Sequence, residues 1–506
     1  MRKLNTGSRW MTGLLLAFFV VQPLLDVLGY WQMEAGLPNL LTTAIRLLIL
    51  VCMLGVGFLL TRRKWAYLLT GGVIALYLLG HVLACLALSD DYHWAEDLAD
   101  QARLLLLPVT TLCLMTFLRE DKKAFSTLMK AMALDLGLIL LVMALSAATG
   151  TDPHSYEAKG LGVRGWFHWT SAQSAILSLL CPLALAWCLE RFPGRLLPLA
   201  VTALLSFGAL YFFGTRLAYA SLAAVGLSMS LSIFLSDRRR WAQALTVLLC
   251  AALFCGLYPL SPMARNQRAI LENVVVKQAR IDAAAAEYDP AVLSAAESGE
   301  ANQPHSSENL EALAAAYRYN LQGMVDRFGI RRVAELYDYS LDAVRVCDDR
   351  VRKYCYCKLL MEDSAAASPL APLFGLEIGR THVKQTQVYH FETDEWLLED
   401  EASDPENDVY GVWFLCGVVG AALFALFLGH FALCGVGLLI RRPKKAIQPR
   451  TAAFLMAFVI ALVYACNTVS VLRRNNASVY FAVVLAGLWQ LWREAKQPGP
   501  TGKEAL

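Results

Sequence analysis

Apolar runs close to twenty residues long recur from one end of the chain to the other. They fall at about 11–30, 39–60, 65–88, 101–118, 126–148, 170–189, 195–213, 215–235, 241–260, 409–432, 451–469 and 477–493. A helix needs about 20 such residues to cross the hydrocarbon core of a bilayer. Lipid offers no partners for free backbone groups, so each run must satisfy its own hydrogen bonds as a helix. The expected fold class is therefore an all-α polytopic membrane protein of about twelve transmembrane helices. Composition agrees, with 57% hydrophobic and 17% charged residues among 506. The first run is full length and Gln22, Pro23 and Asp26 interrupt its far end, so a cleavable signal peptide is not expected.

Short basic loops set the orientation, because Lys and Arg collect on the cytoplasmic side. Arg2, Lys3 and Arg9 precede the first run; Arg62, Arg63 and Lys64 follow the second; Arg119, Lys122 and Lys123 follow the fourth. Arg191 and Arg195, then Arg238 to Arg240, then Arg441, Arg442, Lys444, Lys445 and Arg450 continue the series. Both termini are expected to be cytoplasmic, in a multi-pass protein of the cell membrane. The expected segments are 1–260 with nine spans, 261–408 outside the membrane on the extracytoplasmic side, 409–495 with three spans, and a tail over 496–506. The long external segment carries 15 Lys and Arg against 26 Asp and Glu, a balance of −11 that disfavours a nucleic-acid partner. Its Ala-rich text from Glu308 to Asp363 reads as consecutive helices, with apolar positions every three to four residues.

Most of the 13 cysteines lie inside the apolar runs as small fillers. Cys347, Cys355 and Cys357 lie in the polar segment without forming a convincing disulfide framework, and no metal-ligand spacing stands out. No cofactor is expected.

Ionisable residues in or beside a span face a cavity or a partner. Asp26 and Arg46 can pair at similar depth, as a structural ion pair or as part of a site, while Asp135 has no obvious partner and stays unassigned. Arg164, in GLGVRGWFHWTSAQSAIL, precedes the sixth run, and Arg216 occupies the short turn between the seventh and eighth. Each alone reads as a snorkelling or headgroup arginine. Together with Arg103 at the end of the fourth run they suggest a basic outer pocket, and the guanidinium fork matches phosphate oxyanions.

Arginines and carboxylates at the outer boundary suit transfer of a glycan from a polyprenyl-pyrophosphate carrier. Fixed cations would stabilise the leaving pyrophosphate. A carboxylate or His would take the proton of the acceptor hydroxyl. The scheme requires no divalent metal.

The layout, with a large external segment between the ninth and tenth spans, resembles the O-antigen ligase and O-antigen polymerase superfamily of polyprenyl-linked glycosyltransferases. That family carries an Arg at the start of its eighth span, arginines in the external segment, and a His-Asn pair, nine residues, then Gly-x-x-Gly entering the tenth span. Here Gly417 and Gly420 match the glycines, and counting nine residues back reaches Asp408, leaving Glu406 and Asn407 as the opening pair. Glu406 stands where the ligase motif has His; some Gram-positive members look similar, with Glu-x-Asp at this place. PLFGLEIGR (372–380) resembles the family's element ahead of the motif.

The resemblance implies Glu406 and Asp408 as catalytic carboxylates, Arg216 as a pyrophosphate ligand, and a further external Arg, for which Arg345 and Arg350 are favoured; Arg164 joins them as a pyrophosphate ligand from its place in the basic outer pocket. A helix with alternating charges is also simply a solvated face. Asn407, His168, Asp26 and Arg46 are possible acceptor-binding or structural residues, and His168, His382 or His390 could replace the missing His as base. The implied partners are a polyprenyl-pyrophosphate-linked glycan donor, a glycan or lipid acceptor, and membrane lipid. The alternative function is a transporter or flippase for lipid-linked oligosaccharide, against which stands the lack of a visible inverted repeat. Another polyprenyl-dependent transferase would use an early acidic pair, a description that Asp90 and Asp91 fit loosely.

Overall fold

A computed structural model of the chain describes residues 3–37, 40–88, 92–285, 314, 317, 321–339, 349–377, 382–390, 395–402, 405 and 407–496. Glu406, Arg345, Asp90 and Asp91 lie outside the described residues. Each of the twelve apolar runs coincides with a helix. These are α1 (Lys3–Glu34), α2 (Leu40–Leu60), α3 (Lys64–Leu86), α4 (Trp94–Glu120), α5 (Ala124–Thr149), α6 (Thr170–Arg191), α7 (Leu196–Phe213), α8 (Arg216–Ser236) and α9 (Trp241–Gly256). After the polar segment, which opens with α10 (Pro262–Ala285) and includes α11 (Asp349–Ala367), come α12 (Asp408–Arg441), α13 (Pro449–Asn467) and α14 (Asn475–Lys496). Among the described residues nine helices are long and apolar enough to cross a membrane. Of the other three, α2 contributes a shorter apolar stretch, Ala44–Leu60, and α9 has only 16 residues. The third, α14, carries Gln490, Arg493, Glu494 and Lys496 in its last turns, which lower its hydropathy. The protein is an all-α multi-pass membrane protein.

The chain divides into two compact units. The first comprises Met1–Ala75, Gln101–Asn266 and Ala422–Leu506. Its centre is α6, buried along nearly its whole length and packed by α5, α7, α8, α13 and α14. The α6 sequence, AQSAILSLLCPLALA, alternates small and large residues, which lets neighbouring backbones approach where lipid supplies no hydrophobic drive. Buried over most of its length, α14 owes that position to packing rather than to apolarity.

The second unit comprises Leu76–Asp100 and Gln267–Ala421. Helical pieces over 321–328 and Ile330–Leu336, together with α11, bury Leu321, Met324, Phe328, Val333, Tyr356 and Leu360 among themselves. Strands β1 (His382–His390) and β2 (Glu395–Ala402) form one antiparallel hairpin, His390 opposite Glu395, with an irregularity between His382 and Gln385. Apart from an isolated bridge between Tyr156 and Leu161, this hairpin is the only strand pairing among the described residues, in a segment expected to be mostly helical. Within α12, Gly417 breaks the helical backbone at φ 63° and ψ −171°. The segment Leu373–Leu376 docks at the break, where the Leu376 amide donates to the Phe414 carbonyl at 3.1 Å.

Candidate functional site

In the first unit the loop between α5 and α6 is built around one carboxylate. Asp152 accepts hydrogen bonds from the Ser146 hydroxyl (3.0 Å) and from the backbone amides of His154 (2.9 Å), Arg164 (3.3 Å) and Gly165 (2.6 Å). Charge-assisted bonds of this kind are stronger than neutral ones, so the carboxylate holds the two ends of the loop together. The loop also lies against the end of α7. Val163 N donates to Phe212 O at 2.9 Å, and the Tyr156 hydroxyl donates to Gly214 O at 3.1 Å. Gly162, at φ +82°, approaches Phe213 so closely that a Cβ would stand 2.8 Å from its carbonyl oxygen.

This bracing presents Arg164 from a buried position, 8% exposed. Its Nη1 donates to Thr170 Oγ1 at 3.0 Å and its Nη2 lies 3.6 Å from Glu157, while its buried Nε meets no hydrogen-bond partner among the described residues. A buried guanidinium with unused donor capacity is a ready seat for an oxyanion. Four residues along, His168 is half-buried, and its pKa is lowered by that burial and then by the positive charges of Arg164 and Arg474. The Arg474 guanidinium stacks 3.7 Å over the Trp169 ring, a cation–π contact that fixes its plane. Ser171 Oγ donates to Val469 O at 3.0 Å, tying the start of α6 to the α13–α14 loop that carries Arg474. Two arginines 310 residues apart in sequence therefore both bear on the charge of one histidine, against the opposing charges of Glu157 and Glu34.

Arg216 is the first residue of α8 and exposed. Thr215 caps that helix, accepting from the Ala218 amide at 3.3 Å, and its hydroxyl also bonds Ser174 at 2.6 Å. Ser174 and Ser178 both bond the Tyr464 hydroxyl, at 2.6 and 3.0 Å. This buried chain joins α6, α8 and α13 and sets where Arg216 leaves the bundle. Burial raises the pKa of Tyr156, against the opposing pull of the Arg216 charge. Asp26 and Arg46, in α1 and α2, form a hydrogen-bonded ion pair, and Asp135 is fully buried on α5 near the Tyr480 hydroxyl.

In the second unit Asp408 opens α12 and is fully buried. Asn407 caps the helix, its Oδ1 accepting from Val409 N at 2.9 Å and Tyr410 N at 3.2 Å. Arg350, in the first turn of α11, is exposed. His382 and His390 are the end residues of β1. A buried cluster absent from the sequence reading is His81, Cys85 and Asp97, with Tyr92 donating to Asp97 at 2.7 Å. The signal available was the i, i+4 spacing of His81 and Cys85 in an apolar run, which by itself also fits helix packing. For Arg474 the signal was the RRNN stretch interrupting the last two apolar runs, a place where the positive-inside pattern does not call for basic residues.

A sequence model of the family described as "O-antigen ligase like membrane protein" matches residues 8–321, more than half of the chain. The chain belongs to that family. No curated protein matches the sequence significantly.

Proposed function

We propose that the protein transfers a saccharide from a polyprenyl-pyrophosphate carrier to a glycan or lipid acceptor at the extracytoplasmic face of the membrane, as a surface-polysaccharide polymerase or ligase. Family membership supports glycan processing by a membrane glycosyltransferase. The observation that carries the finer reading is the buried Arg164 guanidinium, whose Nε has no hydrogen-bond partner among the described residues, in the same loop as Trp169, on whose ring Arg474 stacks.

In this scheme an acceptor hydroxyl oxygen attacks the anomeric carbon and forms the new glycosidic bond. The bond from that carbon to the phosphate oxygen breaks, and polyprenyl pyrophosphate leaves with the electron pair. Arg164, Arg474 and Arg216 offset the charge that gathers on the leaving phosphate, an effect worth most where the donors are already fixed. Burial and the charges of Arg164 and Arg474 disfavour a charged His168, and an arriving anion would favour its protonation. Glu406 enters by its register ahead of Gly417 and takes the hydroxyl proton as base, with Asp408 beside it at the start of α12. Arg345 and Arg350 are the proposed external phosphate ligands. His382 and His390 take no part in the scheme.

Purified protein with a polyprenyl-pyrophosphate-linked oligosaccharide and an acceptor sugar or lipid should release polyprenyl pyrophosphate and form one new glycosidic bond per release. Arg164→Ala and Arg216→Ala, inserted normally in the membrane, should lower that release by about 10²-fold or more, the scale of losing a transition-state donor. Movement of labelled carrier across vesicles with no bond formation would replace this reading with transport.

A further inference from the structure

The second unit holds a buried side-chain cluster that the glycosyl-transfer scheme does not use. His81 and Cys85 lie one turn apart on α3, and Asp97 lies in the first turn of α4. They are 0%, 2% and 1% exposed, and one ligand atom of each lies within 4.8 Å of the others. His81 Nε2 is 2.9 Å from Asp97 Oδ2 and 3.7 Å from Cys85 Sγ.

Proton accounting narrows what this arrangement can be. His81 Nδ1 lies 2.7 Å from the Phe374 carbonyl oxygen, which can only accept, so Nδ1 carries a hydrogen. In the neutral ring, Nε2 then presents a lone pair to Asp97 Oδ2, which also presents lone pairs. Either a hydrogen, carried by the ring or by the carboxyl, or a metal ion must lie between them. A ring proton makes a buried imidazolium–carboxylate pair, whose desolvation its own attraction offsets only in part, and a carboxyl proton makes a neutral pair. Either hydrogen accounts for the His81–Asp97 contact alone and gives no role to the Cys85 thiol 3.7 Å from Nε2.

A metal ion accounts for all three groups. Around tetrahedral zinc, with Zn–N near 2.05 Å and Zn–S near 2.3 Å, the N···S edge is about 3.6 Å and the N···O edge about 3.4 Å. The observed N···S separation of 3.7 Å matches its edge, while the N···O separation of 2.9 Å is shorter than its edge, so the Asp97 carboxylate must draw back by about half an ångström to admit the ion. Thiolate, carboxylate and a divalent cation sum to zero charge, the cheapest state for a buried site. The surroundings match a metal centre as well: the Phe374 carbonyl fixes the tautomer and orientation of His81, and the Tyr92 hydroxyl donates to the Asp97 carboxylate at 2.7 Å.

We propose that His81, Cys85 and Asp97 bind a zinc-class divalent cation that ties α3 to α4 and, through the Phe374 carbonyl, to the Leu373–Leu376 segment docked at Gly417. Water completes the fourth position. The site stabilises the second unit, and its metal content does not depend on the glycosyl-transfer reading.

The test uses full-length protein purified in detergent without chelator. Elemental analysis should find one equivalent of zinc per chain. Protein stripped and reloaded with cobalt should show the near-ultraviolet thiolate-to-metal band and visible ligand-field bands of four-coordinate cobalt. Cys85→Ser keeps the side-chain size; it should abolish the thiolate band and lower the zinc content several-fold while eluting as a folded monodisperse species. If Cys85→Ser does not fold, the wild-type cobalt spectrum decides alone. Metal-free wild-type protein whose melting temperature does not move with added zinc, and which gives no thiolate band with cobalt, overturns the proposal. Bound metal with an unchanged spectrum in folded Cys85→Ser also overturns it.

Discussion

Gly375 and Gly417 pack backbone to backbone: a Cβ on Gly417 would stand 2.5 Å from the Gly375 nitrogen, and a Cβ on Gly375 would collide with the Leu415 carbonyl. Both have positive φ, +89° and +63°, which disfavour any L side chain. The segment PLFGLE and the tenth apolar run, 42 residues apart in sequence between these glycines, are thereby locked together.

Alanine at either glycine should destabilise the protein by about 2–6 kcal/mol, combining roughly 1–3 from a positive-φ extended backbone that only glycine adopts readily and 1–3 from overpacking. Gly429→Ala, in the same helix with nothing within 4 Å of the added carbon, should be neutral or slightly stabilising. Thermal melting of the three variants in one detergent makes the comparison; equal melting temperatures would contradict the docking.

Asp152→Asn replaces one acceptor oxygen with a donor facing amides that also donate. The loop should loosen at a cost of about 1–3 kcal/mol, the range for leaving a buried polar group unsatisfied. Transfer activity is expected to fall more than global stability, because the loop carries Arg164. Limited proteolysis between Thr151 and Trp169, followed over time, reports the loosening directly.

Acid should weaken the protein through His168. Its folded pKa is lowered, chiefly by burial and then by Arg164 and Arg474, so between that value and the ordinary value of about 6.5 the unfolded chain binds more protons than the folded one. Stability is therefore lost as pH falls through that window and levels off below the folded pKa. His168→Gln should flatten this part of the melting-temperature profile between pH 7 and 5, and a saturating pyrophosphate-bearing ligand, by favouring the protonated ring, should narrow the window and shrink the wild-type loss. A wild-type profile identical to that of His168→Gln would remove His168 from the cluster.

Asp26 and Arg46 form a pair with side chains only 9% and 14% exposed. Removing one partner strands a buried charge, at a cost of about 3–5 kcal/mol. The double variant Asp26→Leu with Arg46→Leu should recover most of that loss. A double-mutant cycle measured by unfolding in detergent mixtures checks it; additive effects would mean that the pair contributes no coupling.

The number and placement of spans could be read from the chain because lipid imposes one solution on a twenty-residue apolar run, whatever its neighbours are. The same directness covered Arg216, held at a helix start by the short turn before it, and Arg164 just ahead of α6. The β hairpin was missed because a two-stranded pairing depends on a partner outside the local window. So was the Arg474–Trp169 stack, which joins loops that only the folding of α6 against α13 and α14 brings together.

The sequence by itself determined a membrane-spanning helical chain with arginines at span ends and glycines spaced for close contact, since hydropathy and backbone freedom are local properties. Only the tertiary structure decided which of those residues meet. Arg474 on Trp169, Gly375 on Gly417, and His81 with Cys85 and Asp97 are contacts between segments distant in sequence or separated by a turn. Which such contacts form depends on how whole helices fill space against one another.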